Sequence, residues 1–118
     1  MRELRRALRV CPPPDHPVRV DVMGSGFLEV LFARDISVGG VGVFVPHDFA
    51  GCNTEADVEL IITIGNARPF KTRGRIRHRS QSEARHFFGI EFIDLRPEQR
   101  ALIEDYVSTC SRRGRELP

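Results

Sequence analysis

A cluster of arginines near the N-terminus is the first group of residues whose chemistry stands out. Arg5, Arg6 and Arg9 fall within the five-residue segment RRALR. Guanidinium groups four residues apart can converge on one ligand, where each can pair with phosphate oxygens, bind guanine O6 and N7, or stack on a purine. The same cluster could equally be a solvated basic tail, so the arginines alone leave both interpretations open.

A second polar segment, DISVGG, follows the second apolar stretch of the chain. Asp35 offers an acceptor for guanine N–H groups or for an arginine, and Ser37 offers a hydroxyl. Gly39 and Gly40 lack a Cβ and allow backbone amides to approach a ligand closely. A plain hairpin turn rich in Asp, Ser and Gly would have the same composition.

Metal, membrane and disulfide chemistry find little support in the sequence. The three cysteines have an odd count and wide spacings, no CxxC occurs, and the four histidines show no HxxxH or HExxH spacing. We therefore expect reduced thiols and neither a metal nor a cofactor. The densest apolar stretch, 58–64, is too short to cross a bilayer, and the first ten residues lack the apolar region of a signal peptide. These features predict a cytoplasmic protein without membrane insertion.

Charge is unevenly distributed along the 118 residues, which have a formal net charge of +2. Residues 1–9 hold four arginines against one glutamate, whereas the body of the chain has more acidic than basic residues. A general nucleic-acid binder would spread positive charge over a face of its fold and would use aromatic stacking platforms. This chain has no Trp and one Tyr. The distribution favours a local anionic ligand over nucleic acid.

Alternating apolar residues predict six short β-strands, at 18–22, 27–33, 41–45, 57–64, 69–79 and 87–93. After Pro97 the apolar period changes to that of a helix, with Leu102, Ile103, Tyr106, Val107 and Cys110 on one side and Gly114 as the stop. Six strands and one helix indicate an antiparallel barrel or sandwich with a C-terminal cover. We expect a basic arm and Pro-rich hinge at 1–16, a barrel with its helix at 17–110, and a basic tail at 111–118.

The two polar segments together resemble the PilZ family, bacterial receptors for cyclic di-GMP. RxxxR at Arg5 and Arg9 is followed, 26 residues after Arg9, by DxSxxG at Asp35. The segments DISVGGVGV, GRIR and FGIEF, and the helix after Pro97, also follow the family pattern. The resemblance covers the chain from Arg5 to about Val107. It departs from the family in the Pro-rich connector CPPPDHP.

The resemblance implies a mainly β fold, a six-stranded antiparallel split β-barrel with a C-terminal α-helix. It also implies a ligand site made of Arg5, Arg6, Arg9, Asp35, Ser37, Gly39 and Gly40. The implied function is not enzymatic: the chain would bind cyclic di-GMP, close its arm around a pivot at Val10 and Cys11, and signal to an unidentified downstream protein. A monomer or a weak homodimer is expected.

Two alternatives stay open. A PilZ-like protein-interaction module, such as those of pilus assembly, would not bind the nucleotide, although this chain keeps both motifs. An enzyme would need a nucleophile elbow, a metal motif or a phosphate-binding loop, and the sequence has none of these.

The fifth strand has a row of arginines. One face is predicted to carry Arg73, Arg75, Arg77 and Arg79, with His78 on the opposite face. That face is either solvated and paired with acidic neighbours such as Glu59 or Glu91, or a surface that docks a partner or forms the edge of a ligand site.

Overall fold

The computed structural model describes residues 7–24, 26–46, 53–82 and 85–117. These residues form six strands and one helix: β1 (Val18–Gly24), β2 (Phe27–Ser37), β3 (Gly40–Val45), β4 (Asp57–Ile64), β5 (Phe70–Ser82), β6 (Arg85–Ile93) and α1 (Pro97–Arg112). Every paired strand is antiparallel, and the order β1-β2-β3-β6-β5-β4 closes into a barrel through the pairing of β1 with β4. The predicted fold class is confirmed.

The barrel core comes from the inward-facing residues of each strand. Val18, Val20 and Val22 of β1 are buried, and so are the alternate apolar residues of β4. Because successive side chains of a strand point to opposite faces, this period of two places one apolar row of each strand inside. Burying each such side chain stabilises the fold by roughly 1.5–3 kcal/mol relative to leaving it exposed.

The second strand has apolar residues on both faces. Leu28, Val30 and Phe32 share one face, as the sequence indicates, and that face is the outer surface of the barrel, where Leu28 and Phe32 are 60% exposed. Leu31, on the opposite face, is buried. The strand also continues to Ser37, past the predicted end at residue 33, after a β-bulge between Ala33 and Asp35.

The helix α1 begins at Pro97 and ends at Arg112, just before Gly114. Its buried residues, Ile103, Tyr106, Val107 and Cys110, join the same core as the barrel. Leu102, which the helical period placed with them, is 37% exposed, because it lies at the edge of the buried stripe. Within the described ranges, no helix is both long and apolar enough to span a bilayer.

The segment before the first strand is part of the folded domain. Val10 is fully buried, and its backbone forms isolated bridges with Ile36 of β2 and with Glu116 after the helix. The Cys11 N–H donates to the Arg115 carbonyl at 2.8 Å. Buried, doubly paired backbone is a poor pivot, which argues against the predicted hinge at Val10 and Cys11. A movable arm would have to end before Val10.

Tyr106 joins the helix to the Pro-rich connector. Its hydroxyl donates a 2.6 Å hydrogen bond to the His16 carbonyl oxygen, and the two rings stack with centroids 5.6 Å apart. Burial, together with the hydrogen bond to Cys110, raises the pKa of Tyr106 well above its usual value of 10.0. The folded protein therefore holds the phenol proton more tightly than the unfolded chain does.

We expect Tyr106→Phe to remove an alkaline loss of stability. In the wild type, this tyrosine contributes no pH dependence below about pH 10, and stability falls above it, because only the unfolded chain readily loses the proton. Urea denaturation between pH 8 and pH 11.5 would measure the effect. At pH 8 the free energy of unfolding of the variant should be about 1 kcal/mol lower than that of the wild type. Above about pH 10 it should fall less steeply with pH than the wild-type value does. An equally steep fall of the free energy of unfolding with pH in both proteins would contradict this role of Tyr106.

Candidate functional site

The buried carboxylate of Asp35 lies at the centre of the site. The bulge between Ala33 and Asp35 shifts the register of β2 against β3, and Asp35 pairs with Gly42. Its side chain rests directly on that glycine: a Cβ at position 42 would lie 2.9 Å from both carboxylate oxygens. The absence of a side chain at Gly42 therefore makes room for the carboxylate, which is only 1% exposed.

Arg9 covers this carboxylate from the N-terminal segment. Its Nη1 forms an ion pair with Oδ1 of Asp35, 26 residues further along the chain. The Arg9 carbonyl accepts a 2.9 Å hydrogen bond from the Leu117 N–H, and the next residue, Val10, bridges to Ile36. The backbone from the Arg9 carbonyl onward is therefore anchored, while the Arg9 side chain remains 36% exposed.

Ser37, Gly39 and Gly40 form the turn from β2 into β3. The buried Ser37 hydroxyl accepts a 3.1 Å hydrogen bond from the Gly39 N–H, which fixes the shape of the turn. A Cβ at Gly40 would lie 2.3 Å from the Ile90 carbonyl oxygen, so β3 and β6 approach closely here only because that residue is glycine.

An open groove of about 410 Å³ runs between this turn and the strands β5 and β6. One wall consists of Ala7, Arg9, Ser37, Gly39 and Gly40, and the other of Arg77, His78, Gly89, Ile90 and Glu91. The groove combines cationic guanidinium groups, a serine hydroxyl, glycine backbone and an imidazole ring, with the Asp35 carboxylate beneath Arg9. Such a set suits a ligand that has both phosphates and a planar, hydrogen-bonding base.

Most of the chain matches the model of a known family. The family model described as "PilZ domain" matches residues 3–109. The chain belongs to the PilZ family. No curated protein matched this chain.

Solved PilZ structures share the fold at low sequence identity. The PilZ domain of YcgR from Escherichia coli, solved with c-di-GMP, superposes with a TM-score of 0.79 at 14% identity, covering 95% of each chain. The MrkH–c-di-GMP complex from K. pneumonia gives a TM-score of 0.80 at 13% identity, covering 96% of this chain and 54% of MrkH. PlzA of Borreliella burgdorferi, in complex with c-di-GMP, gives 0.62 at 8% identity, covering 93% of this chain and 54% of PlzA. This chain thus spans about half of MrkH and PlzA.

The structure brings together five of the seven site residues predicted from the PilZ resemblance. Arg9, Ser37, Gly39 and Gly40 line the groove, and Asp35 lies beneath Arg9. Arg5 and Arg6 lie outside the described residues. The described residues contain no group of three or more His, Cys, Asp or Glu that could hold a metal ion.

The sequence raises Arg77 only within a ligand-edge alternative for the β5 arginines, and it does not place His78 in the far wall of the groove. Arg77 and His78 both reach it because a β-bulge between Ile76 and His78 interrupts the alternation of β5. The prediction that His78 faces away from the arginines is therefore wrong: His78 is exposed and Arg79 lies over the Phe88 ring, 5.5 Å from its centroid. The regular alternation of arginines from residue 73 to residue 79 gave no sign of this bulge.

Three of the β5 arginines, Arg73, Arg75 and Arg77, form ion pairs with acidic neighbours, and Arg79 donates to the Asn53 side-chain oxygen at 3.3 Å. Ion pairs join Arg73 to Asp94 at 2.5 Å, Arg75 to Asp57 at 2.8 Å, and Arg77 to both Glu91 at 2.5 Å and Glu55 at 2.6 Å. The hydrogen bonds that Arg77 donates to Glu91 and Glu55 raise the pKa of Arg77 above its usual value. Of the two expected partners, Glu91 does pair with an arginine, whereas Glu59 pairs with Lys71 at 3.5 Å. Arg73 and Arg75 are thus solvated and charge-paired, whereas the pair of Arg77 and Glu91 also lines the groove.

Proposed function

We propose that this protein is a non-catalytic receptor for cyclic di-GMP. The observation that carries the proposal is the direct contact between Arg9 and Asp35 at the edge of a groove that also takes in Ser37 and Gly40. The second arginine of RxxxR and the DxSxxG turn therefore lie at one groove, which supports the proposal. The YcgR domain, MrkH and PlzA were each solved with c-di-GMP, which supports the same ligand here.

The residues have complementary roles in this proposal. Arg9, together with Arg5 as the resemblance implies, neutralises the phosphates of the ligand. Asp35 accepts hydrogen bonds from the N1–H and the 2-amino group of one guanine, and Ser37 adds a hydroxyl. Gly39 and Gly40 leave space for the ligand beside the backbone. Arg6 lies within the first motif and has no separate role assigned to it.

Binding would require Arg9 to change partners. Because Arg9 covers the Asp35 carboxylate, a guanine edge reaches that carboxylate only when the Arg9 side chain turns towards the phosphates. The exchange would couple the ligand to the segment that precedes Val10, so that residues before Val10 close over the groove. A downstream protein would then read the altered surface. MotI from Bacillus subtilis is described as an inhibitor of motility and MrkH as a transcription regulatory factor, so the fold alone does not indicate the kind of partner.

Calorimetric titration of the full chain with cyclic di-GMP tests the proposal. We expect saturable binding of one nucleotide per chain, because position 4, just before RxxxR, is Leu4 and offers neither charge nor a planar group to a second nucleotide. Cyclic di-AMP should bind more weakly, because adenine places an acceptor nitrogen against Asp35 where guanine places an N–H. Absence of heat with cyclic di-GMP would instead identify a PilZ module that does not bind the nucleotide. Two nucleotides per chain would overturn only the stoichiometry.

A further inference from the structure

Arg34, the residue just before the DxSxxG motif, makes the closest contact with Asp35 outside the predicted site. Its Nε and Nη2 atoms both lie 2.5 Å from Oδ2 of Asp35. The same guanidinium group stacks over Phe87, with its central carbon 4.3 Å from the ring centroid, and lies 5.7 Å from the centroid of Phe44. Arg34 is thus held between a carboxylate and two aromatic rings.

This ion pair differs from the arginine pairs of β5. The carboxylate side chains that pair with Arg73 and Arg75 are 71% and 56% exposed, whereas the side chain of Asp35 is 2% exposed. Exposed ion pairs contribute little, but removing one partner of a buried pair leaves an uncompensated charge in a poorly solvated place. Asp35 therefore depends on its arginines much more than the carboxylates of the β5 wall do.

The two oxygens of Asp35 are divided between two arginines. Arg9 occupies Oδ1 and Arg34 occupies Oδ2. In the proposed binding mode Arg9 leaves for the phosphates, and Arg34 then remains as the cation on Asp35 among the described residues. A carboxylate oxygen can accept more than one hydrogen bond. The guanine edge can therefore donate to Oδ1, which Arg9 has left, while Arg34 stays on Oδ2.

We infer that Arg34 is a positioning residue for guanine recognition. This inference rests on the proposed function. Arg34 compensates the charge of Asp35 after Arg9 has moved, and it holds the carboxylate in the orientation that accepts N1–H and the 2-amino group. Stacking on Phe87 makes this position independent of Arg9. Arg34 thus supports the preference for guanine over bases that lack one of these donors.

The test compares cyclic di-GMP with its inosine analogue, cyclic di-IMP, whose base keeps N1–H but lacks the 2-amino group. A hydrogen bond to a charged group is worth about 1.5–3 kcal/mol, so the wild type should prefer cyclic di-GMP by roughly 10- to 150-fold. In Arg34→Ala, the affinity for cyclic di-GMP should fall by at least about tenfold. The preference over cyclic di-IMP should shrink to about threefold or less.

Two further variants keep the result interpretable. Phe87→Leu removes the stacking but retains the charge, and should lower both the affinity for cyclic di-GMP and the preference in the same direction, by about two- to fivefold. Arg85→Ala is the matched control, because Arg85 stacks on Phe44 at 4.2 Å in the same aromatic cluster. It should leave the affinities for both nucleotides unchanged.

The outcomes separate this inference from the proposed function. Equal losses for the two nucleotides in Arg34→Ala would show a merely structural role and overturn the inference, as would wild-type affinities in Arg34→Ala. If Arg34→Ala fails to fold, an unchanged preference in Phe87→Leu overturns it. A wild-type protein that binds neither nucleotide would overturn the proposed function and this inference with it. Binding by the wild type, with equal losses in the variants, would overturn the inference alone.

Discussion

Replacing Arg9 with alanine is expected to weaken cyclic di-GMP binding by about thirty- to several-thousand-fold. Loss of a charged hydrogen-bonding partner in a partly desolvated site costs roughly 2–5 kcal/mol. Of the two arginines in RxxxR, Arg9 lies within the described residues. Its side chain is only 36% exposed, beside the buried carboxylate of Asp35. Arg5→Ala should produce a similar loss if the resemblance assigns its role correctly. Titration calorimetry or fluorescence competition would measure both.

Arg19→Ala is the matched control for this substitution. Arg19 also pairs with an aspartate, Asp21, at 2.9 Å, and it is 49% exposed, but it lies on β1, outside the residues described as lining the groove. The control should retain the wild-type affinity. An Arg9→Ala protein that binds within threefold of the wild type would remove Arg9 from the site.

Gly40→Ala is expected to damage both the fold and the site. The added methyl group would lie 2.3 Å from the Ile90 carbonyl oxygen and 3.2 Å from the Glu91 Cα, which are backbone atoms of β6 and can move only with their strand. Overpacking of this kind costs about 1–3 kcal/mol. We expect the free energy of unfolding to fall by that amount, which lowers the urea midpoint. We also expect a loss of most nucleotide binding, because the turn from Ser37 to Gly40 would shift away from the groove.

The neighbouring glycine provides the control for stability. A Cβ at Gly39 would make only an ordinary contact, 3.6 Å from the Ser37 Oγ. Gly39→Ala should therefore keep the free energy of unfolding within about 0.5 kcal/mol of the wild type. Equal urea midpoints for the two alanine variants would contradict the close approach of β3 and β6 at Gly40.

Local patterns in the sequence were enough to predict the strands, the covering helix and a polar turn that carries half of the candidate site. The barrel and the roles of the site residues, in contrast, came from the PilZ resemblance. The alternation of Val18, Val20 and Val22 identifies a half-buried strand, and the helical period after Pro97 identifies the covering helix. Asp35, Ser37 and Gly40 fall within one short turn, so their proximity follows from sequence distance alone. Each of these predictions depends on residues close together in the chain.

The other half of the site depends on long-range packing. Val10 pairs with Ile36 through a single bridge, which leaves no periodicity to detect. His78 reaches the groove because of a bulge, and a bulge shifts every later residue of β5 to the other face. Arg34 stacks on Phe87, 53 positions later, because β2 and β6 both flank β3. Such contacts arise from the register of the barrel, which strand periodicity alone does not determine.

The most direct test of the cyclic di-GMP site is to follow backbone amide resonances while the nucleotide is added. We expect the largest shifts at Ser37, Gly39, Gly40 and Gly89, which line the groove, and little change at Val20 and Ile62 in the opposite wall of the barrel. Binding with shifts centred on β1 and β4, or no shift at saturating nucleotide, would contradict the assignment of this groove.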